Sequence, residues 1–249
     1  MKRAILSDIH ANLEALTACL AHAERQGAQA YAFLGDLVGY GADPHACLDL
    51  VRRHAADGAI VVRGNHDEAA LGGLCADMSF IAREAAVWTR GQLAPDERAF
   101  LAGLPDSVAH AGAPAQLFVH ASANRPTEWE YLAGTNAVAR CLAATDAGLV
   151  FAGHVHQPLF YFSARGRMTA FAPQPGIAVP ISTSRRWLAL AGSVGQPRDG
   201  NPAASYLLYD DALRLLTNHR VPYDWLRAAD KIRAAGLPAS LAARLEHGA

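Results

Sequence analysis

The 249-residue sequence predicts an α/β protein, a single domain over residues 1–249 built on two sheets. Three observations carry that prediction. Short apolar runs alternate with helical periodicity through the first two thirds of the chain, the pattern of βαβ units and a largely parallel sheet. From about residue 158 the runs follow one another with short, turn-rich links and no helices between them, so neighbouring strands there should pair antiparallel. Nothing between the two stretches has the composition of a linker.

The elements follow in order. Ala4–Ser7 reads as the first strand, and a helix after it carries Leu13, Leu16 and Leu20 on one face and is closed by Gly27. Ala30–Leu34 is the second strand. Asp43-Pro44 opens the next helix as an N-cap with proline behind it; Cys47, Leu48 and Val51 turn inward, and Asp57-Gly58 stops it. Ala59–Val62, Gln116–Val119 and Leu149–Ala152 are further strands, with helical stretches near 79–91, 95–103 and 136–144. Leu159–Phe162, Arg167–Phe171, Trp187–Ala191, Ser205–Tyr209 and Leu213–Arg220 form the late group, with a hairpin turn at Asp210-Asp211. The tail from Asp224 returns to helical spacing at Leu226, Ile232, Leu241 and Leu245.

Composition narrows the function. With 51% hydrophobic and 18% charged residues the chain is an ordinary globular protein able to bury a sizeable core. A net charge of −1 provides no broad field for polyanions, so general nucleic-acid binding is not expected. Cys19, Cys47, Cys75 and Cys141 are widely spaced and form no CxxC pair, which argues against a zinc ribbon, a redox pair or a disulfide framework. The first apolar run breaks at Asp8, too early for a signal peptide, and no run approaches the roughly 18 apolar residues of a membrane span. A cytoplasmic protein without membrane partners is the expectation.

Nearly every early strand ends on a metal-ligand type. Asp8 and His10 follow the first, Gly35-Asp36 the second, Gly64-Asn65-His66-Asp67 the third, His120 the fourth and Gly153-His154-Val155-His156 the fifth. Alternation along an extended segment would point Asp8 and His10 the same way. Sites in open α/β sheets lie beyond the carboxyl ends of the strands, so these clusters converge. Imidazoles and carboxylates without thiolates suit Zn, Mn, Fe, Co or Ni, and seven ligands are too many for one tetrahedral ion. They fit two divalent ions sharing a carboxylate, the arrangement that clamps both oxygens of an in-line displacement.

The ordered series D-x-H, G-D, G-N-H-D, H and G-H-x-H resembles the calcineurin-like metallophosphoesterase superfamily. The resemblance implies a four-layer α/β-β/α sandwich of two mixed sheets flanked by helices. It also implies one metal on Asp8, His10, Asp36 and His156, and another on Asp36, Asn65, His120 and His154, with Asp36 bridging. His66 matches the non-ligand histidine beside the reacting phosphate, and Asp67 is expected to orient its ring. "GDLVGYGADP", "VHASANRPTEWEYL" and "GSVGQPRDGNPAASY" are similar to a compact prokaryotic subgroup. Ala121 stands where many members have glycine, and GNHD without an arginine after "GDLVG" departs from the Ser/Thr protein phosphatases.

The implied activity is hydrolysis of a small phosphodiester or phosphoanhydride, such as a nucleotide or dinucleoside polyphosphate, by in-line attack of metal-bound hydroxide. A phosphomonoesterase or protein phosphatase, and a non-catalytic scaffold of the same fold, are the alternatives. Arg198 is the candidate phosphate clamp, or else a structural ion pair with Asp199. Asn12 and Tyr40 sit beside ligand blocks and are candidates to touch substrate; Asn12 could instead only cap the following helix. Trp129 reads as a packing residue. An exposed edge of the second sheet leaves a homodimer open.

Overall fold

Strands that are apolar on both faces need cover on both sides, and this requirement shapes the whole molecule. The protein is described by a computed structural model covering residues 1–73, 78–164 and 166–249, which leaves Cys75 outside the described residues. In chain order the elements begin β1 (Lys2–Leu6), α1 (Leu13–Arg25), β2 (Ala30–Phe33), α2 (Pro44–Ala56), β3 (Ile60–Val61) and α3 (Asn65–Leu71). They continue with α4 (Phe80–Gln92), α5 (Pro95–Ala102), β4 (Ser107–His110), β5 (Gln116–Val119), a 3₁₀ turn (Pro126–Glu128), α6 (Thr135–Ala143) and β6 (Leu149–Ala152). Then come β7 (Pro158–Ala164), β8 (Arg167–Phe171), β9 (Ala178–Pro180), β10 (Trp187–Ala191), β11 (Ala204–Asp210), β12 (Leu215–Val221), α7 (Trp225–Ala234) and α8 (Ala239–His247).

Two six-stranded sheets result, in the orders β3-β2-β1-β11-β12-β9 and β4-β5-β6-β10-β7-β8. β1, β2 and β3 run parallel, as do β5, β6 and β10. The remaining pairings are antiparallel, including the hairpins β7–β8 and β11–β12. The late strands are divided between the two sheets, so each is mixed.

Alternation along each strand builds the layers. Ala4 and Leu6 of β1, with Tyr206 and Leu208 of β11, face α1 and α2, while Ile5, Leu207 and Tyr209 face the other sheet. Val150 of β6 and Leu188 and Leu190 of β10 pack on Val138, Cys141 and Leu142 of α6, while Phe151 and Ala189 face inward. Between the sheets Phe118 stacks on Phe151 at 5.2 Å, and Phe151 meets Tyr209 edge-on at 5.7 Å. The outcome is helices, sheet, sheet, helix: the four layers expected. A separate apolar cluster gathers α4, α7 and α8 around Tyr40. Among the described residues no helix is long and apolar enough to cross a membrane.

Two local expectations change. Asp43 begins α2 without a side-chain cap; its carboxylate accepts from Lys231 of α7 at 2.8 Å instead. Residues 65–71 form a short helix rather than a simple strand exit.

Candidate active site

β1 ends at Leu6, and the residues expected as ligands beyond it are not extended. Asp8, His10, Asp36, His154 and His156 all have left-handed backbones, with φ between 50° and 66°. Asp and His tolerate this region better than most residues. The two side chains of the first block therefore converge through tight turns, not through strand alternation. Neighbouring turns are laced together: Asp8 N–H donates to Gly35 O (3.1 Å), His10 N–H to Asp36 O (2.9 Å) and Gly153 N–H to His120 O (2.8 Å). Gly64 is needed here, because a Cβ would collide with the Asp36 backbone. Its absence lets His66 N–H reach Asp36 Oδ1 at 2.8 Å.

Two clusters of donor atoms form, each with its atoms within 4.8 Å of one another: Asp8, His10, Asp36 and His156, and Asp36, His120 and His154. Asp36 belongs to both. Its Oδ2 lies 3.6 Å from His10 Nε2 and 3.4 Å from His120 Nε2, with no hydrogen-bond donor of its own. Asn65 Oδ1 adds to the second cluster, 3.0 Å from His120 Nε2.

The donor set fits cations. His10, His120 and His156 turn Nδ1 to the carbonyls of Val38 (3.3 Å), Leu34 (2.7 Å) and Gln196 (2.6 Å). A carbonyl only accepts, so Nδ1 carries the proton and Nε2 faces the cluster, the outer support typical of ligating histidines. His10 Nε2 and His156 Nε2 then face each other at 3.1 Å, with Asp8 Oδ1 3.2 Å from the latter. A cation between them resolves that contact.

The electrostatics are set for ligation. Burial opposes ionisation of Asp8 and Asp36, yet His156 and His120 beside Asp8, and His120, His66 and His10 beside Asp36, hold both carboxyls below the usual range. Burial pushes His10 well down, and burial and His120 push His154 to about 3, so both stay neutral. Against its own burial, His120 is raised to about 9 by Asp36; a cation would take that proton's place.

Above the second cluster opens a cleft of about 710 Å³, lined by Tyr40, Asn65, His66, His154 and Arg198 among others. His66 presents a buried Nδ1 without a partner, its ring held 4.3 Å from Tyr40 and 4.9 Å from His10. Asp67 does not touch that ring. Its carboxylate accepts from Leu37 N–H (2.8 Å), Val38 N–H (3.2 Å) and Gly64 N–H (2.9 Å), tying the second and third blocks together. That corrects the ring-orienting role. Arg198 makes no pair with Asp199, which bonds Arg220; its Nη2 reaches Gln196 Oε1 (3.1 Å) and Tyr40 Oη (3.4 Å). Asn12 is spent on structure: Oδ1 caps α1 at Ala15 N–H (3.1 Å), and Nδ2 donates to Gly195 O (2.9 Å).

Several contributors escape sequence reasoning. The carbonyls of Leu34, Val38 and Gln196 leave no trace in residue type. Tyr131 stacks on His154 (4.0 Å) and Trp129 lies edge-on to His120 (5.8 Å), both lining the cleft. The aromatic-acidic string "TEWEYL" was the signal, and the packing role expected for Trp129 missed it.

The sequence profile of calcineurin-like phosphoesterases matches residues 1–158. The chain belongs to that family. A curated relative, an uncharacterized protein of Methanocaldococcus jannaschii, is 35% identical over 244 residues, covering 97% of this chain and 96% of that one. A metallophosphoesterase crystal structure from Sphaerobacter thermophilus superposes with a TM-score of 0.87 at 38% identity, covering 100% of this chain and 99% of that one. A Pyrococcus horikoshii protein shares the fold, with a TM-score of 0.80 at 20% identity over 100% and 98% of the two chains. Calcineurin-like phosphoesterases use divalent metals, and this member is a phosphoric ester hydrolase with two His/Asp clusters that could hold two ions.

Proposed function

We propose that the protein is a binuclear phosphoesterase that cleaves a small phosphodiester or phosphoanhydride, with a nucleotide or dinucleoside polyphosphate as the substrate type. The observation that carries this reading is Asp36, shared by two clusters at the floor of a cleft that His66, a member of neither cluster, lines. Divalent cations there would supply Lewis acidity toward the phosphoryl oxygens and a water acidified toward neutral pH. Ligand roles fall to Asp8, His10, Asp36 and His156 for one ion, and to Asp36, Asn65, His120 and His154 for the other.

The remaining steps belong to the protein's own side chains. His66 is held down to about 4, first by burial, so at neutral pH it is an uncharged imidazole. It enters as a hydrogen-bond donor to a phosphoryl or leaving oxygen; once the bound phosphate's charge raises its basicity it takes up a proton from solvent and passes that proton to the leaving oxygen, returning to the neutral ring. Gly39 makes room for the ring, since a Cβ there would lie 2.7 Å from His66 Nδ1. Arg198, braced by Tyr40, offers a guanidinium without a carboxylate partner to the anionic substrate. The cleft is far larger than one phosphoryl group needs, which favours a substrate with substituents on both sides of the scissile bond.

The test is metal-stripped protein reloaded with Mn, Co, Ni, Fe(II) or Zn and assayed on aryl mono- and diesters, cyclic nucleotides and dinucleoside polyphosphates. Metal-restored turnover that is lost in Asp36→Asn and His66→Ala is expected. Two tightly bound ions with no turnover on any substrate would replace this reading with a scaffold.

A further inference from the structure

One cleft residue lies far outside every motif. Arg244, on α8, lines the same cleft as His66 and Arg198. Among the described residues it is the one partly buried arginine whose guanidinium has no hydrogen bond, ion pair or ring contact. The other described arginines whose guanidinium groups have no partner, Arg25, Arg53, Arg167 and Arg214, are exposed. Elsewhere the chain pairs its guanidinium groups readily, as in Arg52–Asp96, Arg63–Asp106, Arg140–Glu130 and Arg220–Asp199. A guanidinium without a protein partner at the wall of a cleft keeps its donors free for an anion that enters it.

Arg244 is also held in place. Leu241, Ala242 and Leu245 of α8 are buried in the cluster around Tyr40. The helix end is fastened to the Arg198 loop: Gly248 O accepts from Gly200 N–H at 2.9 Å. A Cβ on Gly248 would lie 2.6 Å from the Asn201 backbone, so this approach depends on glycine. One connection therefore places two guanidinium groups without carboxylate partners on one cleft. Arg198 adds a buried Nε with no acceptor. Among the described lining residues the acidic side chains are Glu128, which pairs with Arg125, and Glu68.

We infer that Arg244 and Arg198 form an outer anion subsite for the second phosphoryl group of a phosphoanhydride, while the cluster end of the cleft takes the first. The inference rests on the proposed function and narrows it: the preferred substrate carries at least two linked phosphoryl groups. Guanidinium forks match phosphoryl oxygens in pairs, and a second contact of this kind is felt in ground-state binding.

Arg244→Gln keeps the length of the side chain without its charge, and Arg244→Ala removes both; unfolding midpoints check that each variant is folded. Kinetics of the Mn-loaded enzyme on a dinucleoside polyphosphate and on bis(p-nitrophenyl) phosphate are compared, alongside calorimetric binding of methylenebisphosphonate and inorganic phosphate. In both variants, KM for the anhydride should rise about tenfold more than KM for the aryl diester, and bisphosphonate should weaken about tenfold more than phosphate. Equal effects on both members of each pair, or none on either, would overturn the subsite. Turnover of the diester with none of the anhydride would overturn it while leaving phosphoesterase function standing. If the wild type turns over neither, the proposed function has failed, and the two binding constants decide the subsite alone.

Discussion

The two donor clusters share Asp36 but live in different surroundings. Asp8, His10 and His156 are sealed in, each at most 2% exposed, and both histidines of this set are locked through Nδ1 to main-chain carbonyls. On the other side His120 is locked in the same way, yet Asn65 and His154 form part of the cleft wall, and His154 Nε2 has no partner. The difference teaches a division of labour. A cation in the first cluster would be an anchor, held by a buried set locked to main-chain carbonyls; one in the second would be the ion a substrate meets and the first to exchange.

The largest effect should come from the residue that both sides share. Asp36→Asn is expected to lower turnover by roughly 10³-fold or more and to weaken both ions, because its Oδ2 faces both clusters. Elemental analysis after dialysis reads this directly. Loss of one ion with the other unchanged would break the picture of a shared ligand.

His66 belongs to neither cluster and separates chemistry from ligation. His66→Ala should cost about 10²–10⁴-fold in kcat while two ions remain bound. If metal content falls together with kcat, the residue supports the clusters rather than the reaction.

The contrast itself is tested next. Chelator titration of the loaded protein should withdraw one ion before the other, with affinities roughly 10–100-fold apart. His154→Ala should weaken only the looser step, and His10→Ala only the tighter one. A single transition, or the reverse assignment, would refute the division.

The same contrast explains what the sequence could reveal. β5, β6, β8 and β10 have the predicted boundaries; β6 and β10 are continuous apolar runs within the sheets. β4 and β9 are edge strands of mixed burial, with no such run to betray them. The members of the two clusters were legible because Asp and His recur at strand ends in a fixed order. Their left-handed backbones were not, nor were the carbonyls of Leu34, Val38 and Gln196, since every residue has a carbonyl. Asp67 was noticed but misassigned: its carboxylate serves three amides, a fact only tertiary structure supplies. Asp67→Ala would strand those buried donors, and a loss of about 2–4 kcal/mol in stability is expected from denaturant unfolding. A loss below about 1 kcal/mol would return Asp67 to a purely catalytic role.

The smallest expected effect concerns a histidine group away from the clusters, which controls for acid sensitivity that has nothing to do with ligation. His22 Nδ1 meets Tyr206 Oη at 2.8 Å, and the His219 ring stacks on Tyr206 at 5.1 Å and lies 5.0 Å from His22. Burial, and then His22, push His219 down to about 4, whereas an unfolded chain titrates near 6.5. The folded state therefore resists the proton that the unfolded chain accepts. This contribution is fully present above about pH 6.5 and is lost as the pH falls toward about 4. Partial exposure of the ring keeps it modest. His219→Gln should flatten the fall in melting temperature between pH 7 and 4.5 relative to the wild type, with both proteins metal-loaded. A gap between the two curves that stays constant across that range would mean that the acid sensitivity of this fold resides in its ligand histidines and not in the Tyr206 group.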